Sequence, residues 1–173
     1  MEYVAIACGA LLSTVFGVSG AGKIRRPVEF AASVGALRLL PPRASGLAAS
    51  LLTAAELLVA VLLPVSLLLS AEVALAGFAG SAALSALFCA VIVITLKRGI
   101  RATCNCFGRA AAEYSTRHVV RNAALVLIAL GGAGSSLAAG PVHTPATILA
   151  IAVGLVLGIL VVAMDDLVAL FHG

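Results

Sequence analysis

The chain alternates between long apolar stretches and short connections that hold most of its polar residues. The stretches cover residues 3–22, 47–69, 72–96, 119–139 and 146–164. A helix needs about 20 mostly apolar residues to cross a bilayer, and each stretch is close to that length. The pattern therefore predicts five transmembrane helices, and we expect residues 1–173 to form a single integral membrane domain.

Two connections are longer than the others, residues 23–46 and residues 97–118. The first contains a segment between Pro27 and Pro42 that is too short to cross a membrane and mixes apolar with polar residues. This composition predicts a short helix that lies along the membrane surface. The expected fold is all-α, an antiparallel bundle of about five transmembrane helices. Four of these helices would form a core and the fifth would pack against it. The short interfacial helix would follow the first span.

Small residues recur at every fourth position of two spans, and a third span adds two glycines. Such spacing lets helix backbones approach closely, so it predicts compact packing and offers faces for a possible oligomer. The positions are Gly9, Ser13, Gly17 and Ala21 in the first span, Gly77, Ser81, Ser85 and Cys89 in the third, and Gly154 and Gly158 in the fifth.

Composition excludes a conventional soluble domain, because 62% of the residues are apolar and only 10% are charged. An ordinary soluble domain has about 25% charged residues. The formal charge of +4 could suggest a nucleic-acid partner, but its distribution favours anionic lipid headgroups. All eleven basic residues lie between the first and second spans or between the third and fourth, with Arg121 opening the fourth span.

The distribution of basic residues also predicts an orientation. Cytoplasmic connections of membrane proteins carry the excess of lysine and arginine, so both basic connections are expected to be cytoplasmic. The N-terminus would then be outside, and the tail with Asp165, Asp166 and His172 inside. No basic residue precedes the first apolar stretch, so we expect that stretch to be retained as a span. The predicted location is the cytoplasmic membrane of a bacterium.

Two of the four cysteines lie close together, in Cys104-Asn105-Cys106 within the second basic connection. Thiols at this spacing can close into a strained and therefore oxidising disulfide, or hold a soft metal ion. Arg101 and Arg109 lie nearby and favour the reactive thiolate. The spacing predicts redox or metal chemistry and does not separate the two.

The remaining candidates for thiol or metal chemistry are more scattered. His118 is the nearby third donor, so Cys104, Cys106 and His118 would form the site if a metal is handled. Four ligands are usual for structural zinc, which makes a stable zinc site improbable. Cys89 is either a small packing residue or a buried relay thiol. Together with Cys8 near the outer end, the four thiols would extend across the bilayer, as an electron relay requires.

Glu56 is the acidic residue deepest within a span. Burying an ionised carboxylate there costs about 2.5 kcal/mol or more on insertion scales, so Glu56 requires a partner or a proton. Lys23, Arg121 and Asn122 are the candidate partners. A structural ion pair and a role in proton handling beside the dithiol are both open.

Several of these residues recur together in one known family. They are Gly22-Lys23, Phe30, Leu40-Pro41, Glu56, Arg98-Gly99, Cys104-x-Cys106-Phe107-Gly108 and Arg121-Asn122. In order and spacing, residues 10 to 130 resemble the MauE branch of the MauE/DoxX redox-associated membrane proteins. The family motif usually reads Cys-Gly-Cys-Phe-Gly, and Asn105 stands here in place of the middle glycine. Both residues tolerate left-handed backbone, so the turn is expected to persist.

The resemblance implies thiol–disulfide chemistry by Cys104 and Cys106, in exchange with a thioredoxin-like partner. Electrons would pass to a quinone or across the bilayer, in support of disulfide formation in exported proteins. Two alternatives are handling of a soft metal by the same pair and a non-catalytic membrane anchor for soluble redox enzymes.

Overall fold

The computed structural model describes residues 1–66, 70–100, 103–104, 112–113, 115–137 and 144–171. Its elements, in chain order, are α1 (Glu2–Arg25), α2 (Pro27–Ala36), α3 (Pro42–Ser66), α4 (Ala71–Lys97), β1 (Thr103–Cys104), β2 (Ala112–Glu113), α5 (Thr116–Ser136) and α6 (Thr144–Phe171). Five helices are long and apolar enough to cross a membrane, which confirms the predicted spans. The protein is a multi-pass membrane protein, and lipid surrounds its apolar surface.

The chain between the spans explains where the helices begin and end. Pro27 starts α2 directly after α1, since proline is favoured in the first turn of a helix. Gly99 ends α4 with a φ of 64°, a left-handed conformation that suits glycine. The Gly99 N–H then donates to the Leu96 carbonyl at 3.1 Å, and the Ile100 N–H donates to the Thr95 carbonyl at 3.2 Å.

Four helices form the core of the bundle. The contacts of α1 with α3, α3 with α4, α4 with α5 and α5 with α1 close a ring. Its centre is apolar and includes Leu12, Phe16, Leu63, Phe78 and Ala129. The short helix α2 packs on α3. The predicted four-helix core with one further span and a short helix after the first span is therefore confirmed.

The helix α6 packs on the outside of this ring, against α1. A Cβ added at Gly154 would meet the Ala7 carbonyl and Ala10, and one added at Gly158 would meet Thr14. Residue numbers rise together along the contact, so α1 and α6 run parallel. The two predicted small positions of α6 therefore serve packing within the chain.

The small-residue faces of α1 and α4 also pack within the bundle. Ser13 donates its hydroxyl to the Ala60 carbonyl at 2.7 Å, and Gly17 lies beside Ala60. On α4, Ser81 is fully buried and Gly77 lies against Leu63. These faces hold the helices of one chain together.

We call the end of the bundle where α1 and α4 finish and α3 and α5 begin the basic end. The basic residues within the described parts of the chain are all near this end, as the sequence predicts. They are Lys23, Arg25, Arg26, Arg38, Arg43, Lys97, Arg98, Arg117 and Arg121.

Candidate functional site

A buried ion pair joins α1 to α3 in the half of the bundle nearer the basic end. The Lys23 ammonium lies 2.5 Å from Glu56 Oε1, and each side chain is 1% exposed. Ser19, one turn before Lys23, donates its hydroxyl to the same oxygen at 3.3 Å. Among the described residues, the other oxygen, Oε2, has no hydrogen-bond partner and is buried. The carboxylate thus retains one unsatisfied acceptor in the interior of the bundle.

Two aromatic rings complete the surroundings of the Lys23 ammonium. Its nitrogen lies 4.8 Å from the ring centroid of Phe30 in α2 and 4.8 Å from that of Phe88 in α4. A ring face attracts a cation, and the attraction is stronger where water is excluded. One lysine therefore connects α1 to α2, α3 and α4 at the same point.

The helix α5 adds polar residues to this region. Arg121 and Asn122 are buried, and the Asn122 side chain donates to the His118 carbonyl at 2.8 Å. Arg121 lies close enough for its positive charge to repel that of Lys23. Cations from two helices thus lie close together here, and Lys23 is the one that is hydrogen-bonded to Glu56.

His118 is buried near the start of α5, where it takes part in a helix cap. The Ser115 N–H donates to His118 Nδ1 at 3.2 Å, and the Ser115 hydroxyl lies 3.1 Å from the same nitrogen. This arrangement is a capping box, in which the first helical N–H groups gain partners. The predicted third metal donor therefore has one ring nitrogen engaged in holding the helix start.

The cap allows a test of how firmly α5 is anchored. Replacing Ser115 by alanine should lower the free energy of unfolding by about 1 kcal/mol, because the cap partners are lost. Denaturation by sodium dodecyl sulfate followed by circular dichroism would measure it. Thr116→Ala, at the adjacent exposed position, is the matched control. Equal midpoints for the two variants would show that the cap contributes nothing.

The two-stranded ladder β1–β2 positions the backbone of Cys104. Its Cα pairs with Ala112, and Thr103 pairs with Glu113 in antiparallel register. Ala112 precedes Ser115, the N-cap of α5, by three residues. Cys104 is thus tied to the same end of the bundle as the start of α5. Asn105, Cys106, Phe107 and Gly108 lie outside the described residues.

The other two cysteines are far from each other. Both are free and half-buried. Cys8 is adjacent to Gly9, which lies beside Phe78 of α4, whereas Cys89 Sγ lies 3.9 Å from the Val119 carbonyl. Cys8 therefore lies near the level of Phe78, and eleven residues of α4 separate Phe78 from Cys89, which is about 16 Å along a helix. A disulfide requires Cα atoms within about 7 Å, so the structure does not bring Cys8 and Cys89 together.

The structure decides between the partners predicted for Glu56. Lys23 makes the contact, and Arg121 and Asn122 lie on α5 nearby. Sequence reasoning missed Ser19 and Phe88, because a serine or phenylalanine within an apolar span carries no distinctive pattern. In the described parts of the chain, no group of three or more His, Cys, Asp or Glu residues could hold a metal ion.

Residues 1–135 match a known protein family, described as methylamine utilisation protein MauE. The chain belongs to the MauE family. The match includes the first four spans, the Lys23–Glu56 pair and the Cys104-x-Cys106 motif, and it excludes α6. Among curated proteins and solved structures, none matches the chain. The family assignment predicted from the motif residues is confirmed, and α6 is a span that the MauE match does not contain.

Proposed function

We propose that this MauE-family protein is a membrane component of thiol–disulfide exchange, and that Cys104 and Cys106 are its reactive pair. The observation that carries the proposal is the location of the motif. The backbone of Cys104 pairs with Ala112, three residues before the N-cap of α5, and the chain belongs to the MauE family. A dithiol fixed at a membrane surface can meet a soluble partner.

The reaction is an exchange in which atoms and electrons balance. A thiolate of the pair attacks a disulfide of a thioredoxin-like partner and forms a mixed disulfide. The second thiol then attacks that bond, which leaves Cys104–Cys106 oxidised and the partner as a dithiol. Two electrons and two protons move to the partner, and the reverse sequence moves them back. When the reverse sequence has reduced the pair, the Cys104–Cys106 dithiol would pass two electrons and two protons to a quinone, which forms a quinol and regenerates the Cys104–Cys106 disulfide.

The proposal includes an orientation in the cytoplasmic membrane. Because cytoplasmic connections carry most lysine and arginine, the basic end with the Cys104 motif would face the cytoplasm. The N-terminus would then be outside and α6 would end inside. The partner that meets the motif would accordingly be a cytoplasmic thioredoxin-like protein.

Titration with redox buffer tests the proposed chemistry. In a chain with Cys8→Ser and Cys89→Ser, Cys104 and Cys106 should become oxidised together. Alkylation measured over a series of glutathione ratios should follow a two-electron curve, with about 30 mV for each tenfold change in the ratio of oxidised to reduced protein. Cys104→Ser should abolish this intramolecular oxidation. Restoring Cys8 alone should leave the curve unchanged, because Cys8 lies near the start of α1, at the end of the bundle opposite the basic end.

The same chain tests the partner and the orientation. A thioredoxin-like protein that lacks its second active-site cysteine should be trapped on Cys104 or Cys106 as a mixed disulfide. An impermeant maleimide should label both thiols in inside-out vesicles and neither in intact cells. If both cysteines stay reduced under every oxidant, the thiol-exchange proposal is wrong. Protection of the two thiols from alkylation by soft metal ions, together with this tolerance to oxidant, would favour metal handling instead.

A further inference from the structure

A cavity of about 520 Å³ lies between α2, α3 and α4 near the basic end. All its lining residues are apolar. Leu51 of α3 and Leu87 of α4 line it and are also exposed, so the cavity opens on the surface that faces the bilayer. An apolar chain is the ligand that such walls accept, because they contain no group that would satisfy a polar ligand.

Cations flank this cavity at its surface end. Arg38 is exposed in the turn between α2 and α3, with a φ of 51°, and its neighbours Leu37 and Leu39 both line the cavity. Arg43 is exposed in the first turn of α3. The acidic residue of the connecting segment, Glu29, lies 3.4 Å from Arg26 in an ion pair. The two arginines therefore present exposed positive charge in the segment that joins α2 to α3, next to residues that line the cavity.

We propose that this cavity binds one acyl chain of an anionic phospholipid, whose phosphate lies against Arg38 and Arg43. An apolar cavity that opens to lipid, with cations at its headgroup end, complements the two parts of such a molecule. The occupant is a lipid of the surrounding bilayer, so no additional protein is required. The site does not depend on the chemistry proposed for Cys104 and Cys106.

The bound chain would touch the surroundings of the buried ion pair. Phe30 and Phe88 line the cavity, and these are the two rings that lie over the Lys23 ammonium. An acyl chain in the cavity would hold both rings in position. Anionic lipid should accordingly raise the resistance of the bundle to denaturation, whereas a zwitterionic lipid with the same chains should have less effect.

The absence of tryptophan from the sequence makes a direct test possible. Leu51→Trp places one fluorophore at the cavity, where residue 51 is 61% exposed, and Val120→Trp places one on α5, where residue 120 is 64% exposed. The two positions have similar depth, since Leu51 lines the cavity together with Leu87 of α4, and Val119, the neighbour of Val120, contacts Cys89 two residues further along α4. Each full-length variant is reconstituted in phosphatidylcholine vesicles with increasing phosphatidylglycerol, brominated on its acyl chains to quench tryptophan.

Quenching of Leu51→Trp should reach half its maximum at a mole fraction of brominated phosphatidylglycerol several-fold lower than for Val120→Trp. Brominated phosphatidylcholine should quench both variants alike. Arg38→Gln should raise the half-maximal fraction about fivefold, and adding Arg43→Gln should raise it further by a similar factor. Leu87→Trp repeats the test from α4 if the first reporter prevents folding.

Two results would overturn the inference. Identical curves for the cavity and control reporters would show that no lipid is preferred at this site. If brominated phosphatidylcholine quenched Leu51→Trp as strongly as brominated phosphatidylglycerol does, the cavity would bind acyl chains without selecting the headgroup. Oxidation of Cys104 and Cys106 has no bearing on either outcome, so failure here leaves the thiol-exchange proposal untouched.

Discussion

Glu56→Gln should destabilise the bundle by about 3 kcal/mol, the largest stability loss that we expect from a single substitution. The change leaves the Lys23 ammonium buried without a counter-charge, and breaking one side of a buried pair costs about 3–5 kcal/mol in soluble proteins. The rings of Phe30 and Phe88 recover only part of this. Unfolding by sodium dodecyl sulfate, followed by circular dichroism, would measure the loss.

Glu72→Gln is the matched control, because Glu72 is exposed in the first turn of α4. It should change the free energy of unfolding by less than about 0.5 kcal/mol. Adding Lys23→Met to Glu56→Gln removes both charges and should restore much of the loss, since the unpaired ammonium is then absent. If the double variant were as unstable as Glu56→Gln alone, the unpaired charge of Lys23 would not be the cause of the lost stability.

Gly154→Leu should weaken the attachment of α6 to α1, at a cost of about 1–3 kcal/mol. A Cβ at this position would collide with the Ala7 carbonyl. That oxygen belongs to the backbone of α1, which cannot shift as a flexible side chain can. The helices must therefore separate, and the loss would appear as a lower midpoint of unfolding by sodium dodecyl sulfate.

Gly134→Leu makes the same replacement at an open position of α5, where an added Cβ meets nothing within 4 Å. It removes a flexible glycine from an exposed helix face, so it should leave stability equal or slightly higher. The comparison separates the collision from the change in residue type. If both leucine variants unfold at the same midpoint, close packing at Gly154 does not hold α6.

The spans could be predicted because the physics that fixes them is local. Residues 72–96 are apolar almost throughout, and a helix is the structure that satisfies such a backbone within lipid. The predicted end of this span, residue 96, lies one residue from the observed end of α4, and Gly99 follows it in the left-handed conformation that glycine favours. The C-terminal boundary of that helix is therefore contained in a few neighbouring residues.

The sequence alone could reduce the partner of Glu56 only to three candidates, Lys23, Arg121 and Asn122. The choice among them depends on the relative rotation of the packed helices. Gly20 lets the side chain of Leu57 approach α1, which brings Lys23 rather than Arg121 to the carboxylate. The role of Phe88 required the same information from α4. Neither the rotation of a helix nor its choice of neighbour follows from hydropathy, since all faces of these spans are largely apolar.

The separation of Lys23 and Glu56 along the chain, 33 residues, has a consequence for how the protein is made. A ribosome delivers the first span before the third helix exists, so Lys23 enters the membrane before its counter-charge. Lys23 lies two residues from the end of α1, and its long side chain can keep the ammonium at the headgroups. Glu56 lies near the middle of α3, and its shorter side chain cannot extend from there to the headgroups. The residue that is synthesised first, Lys23, is thus the one whose charge can remain at the membrane surface until Glu56 is inserted.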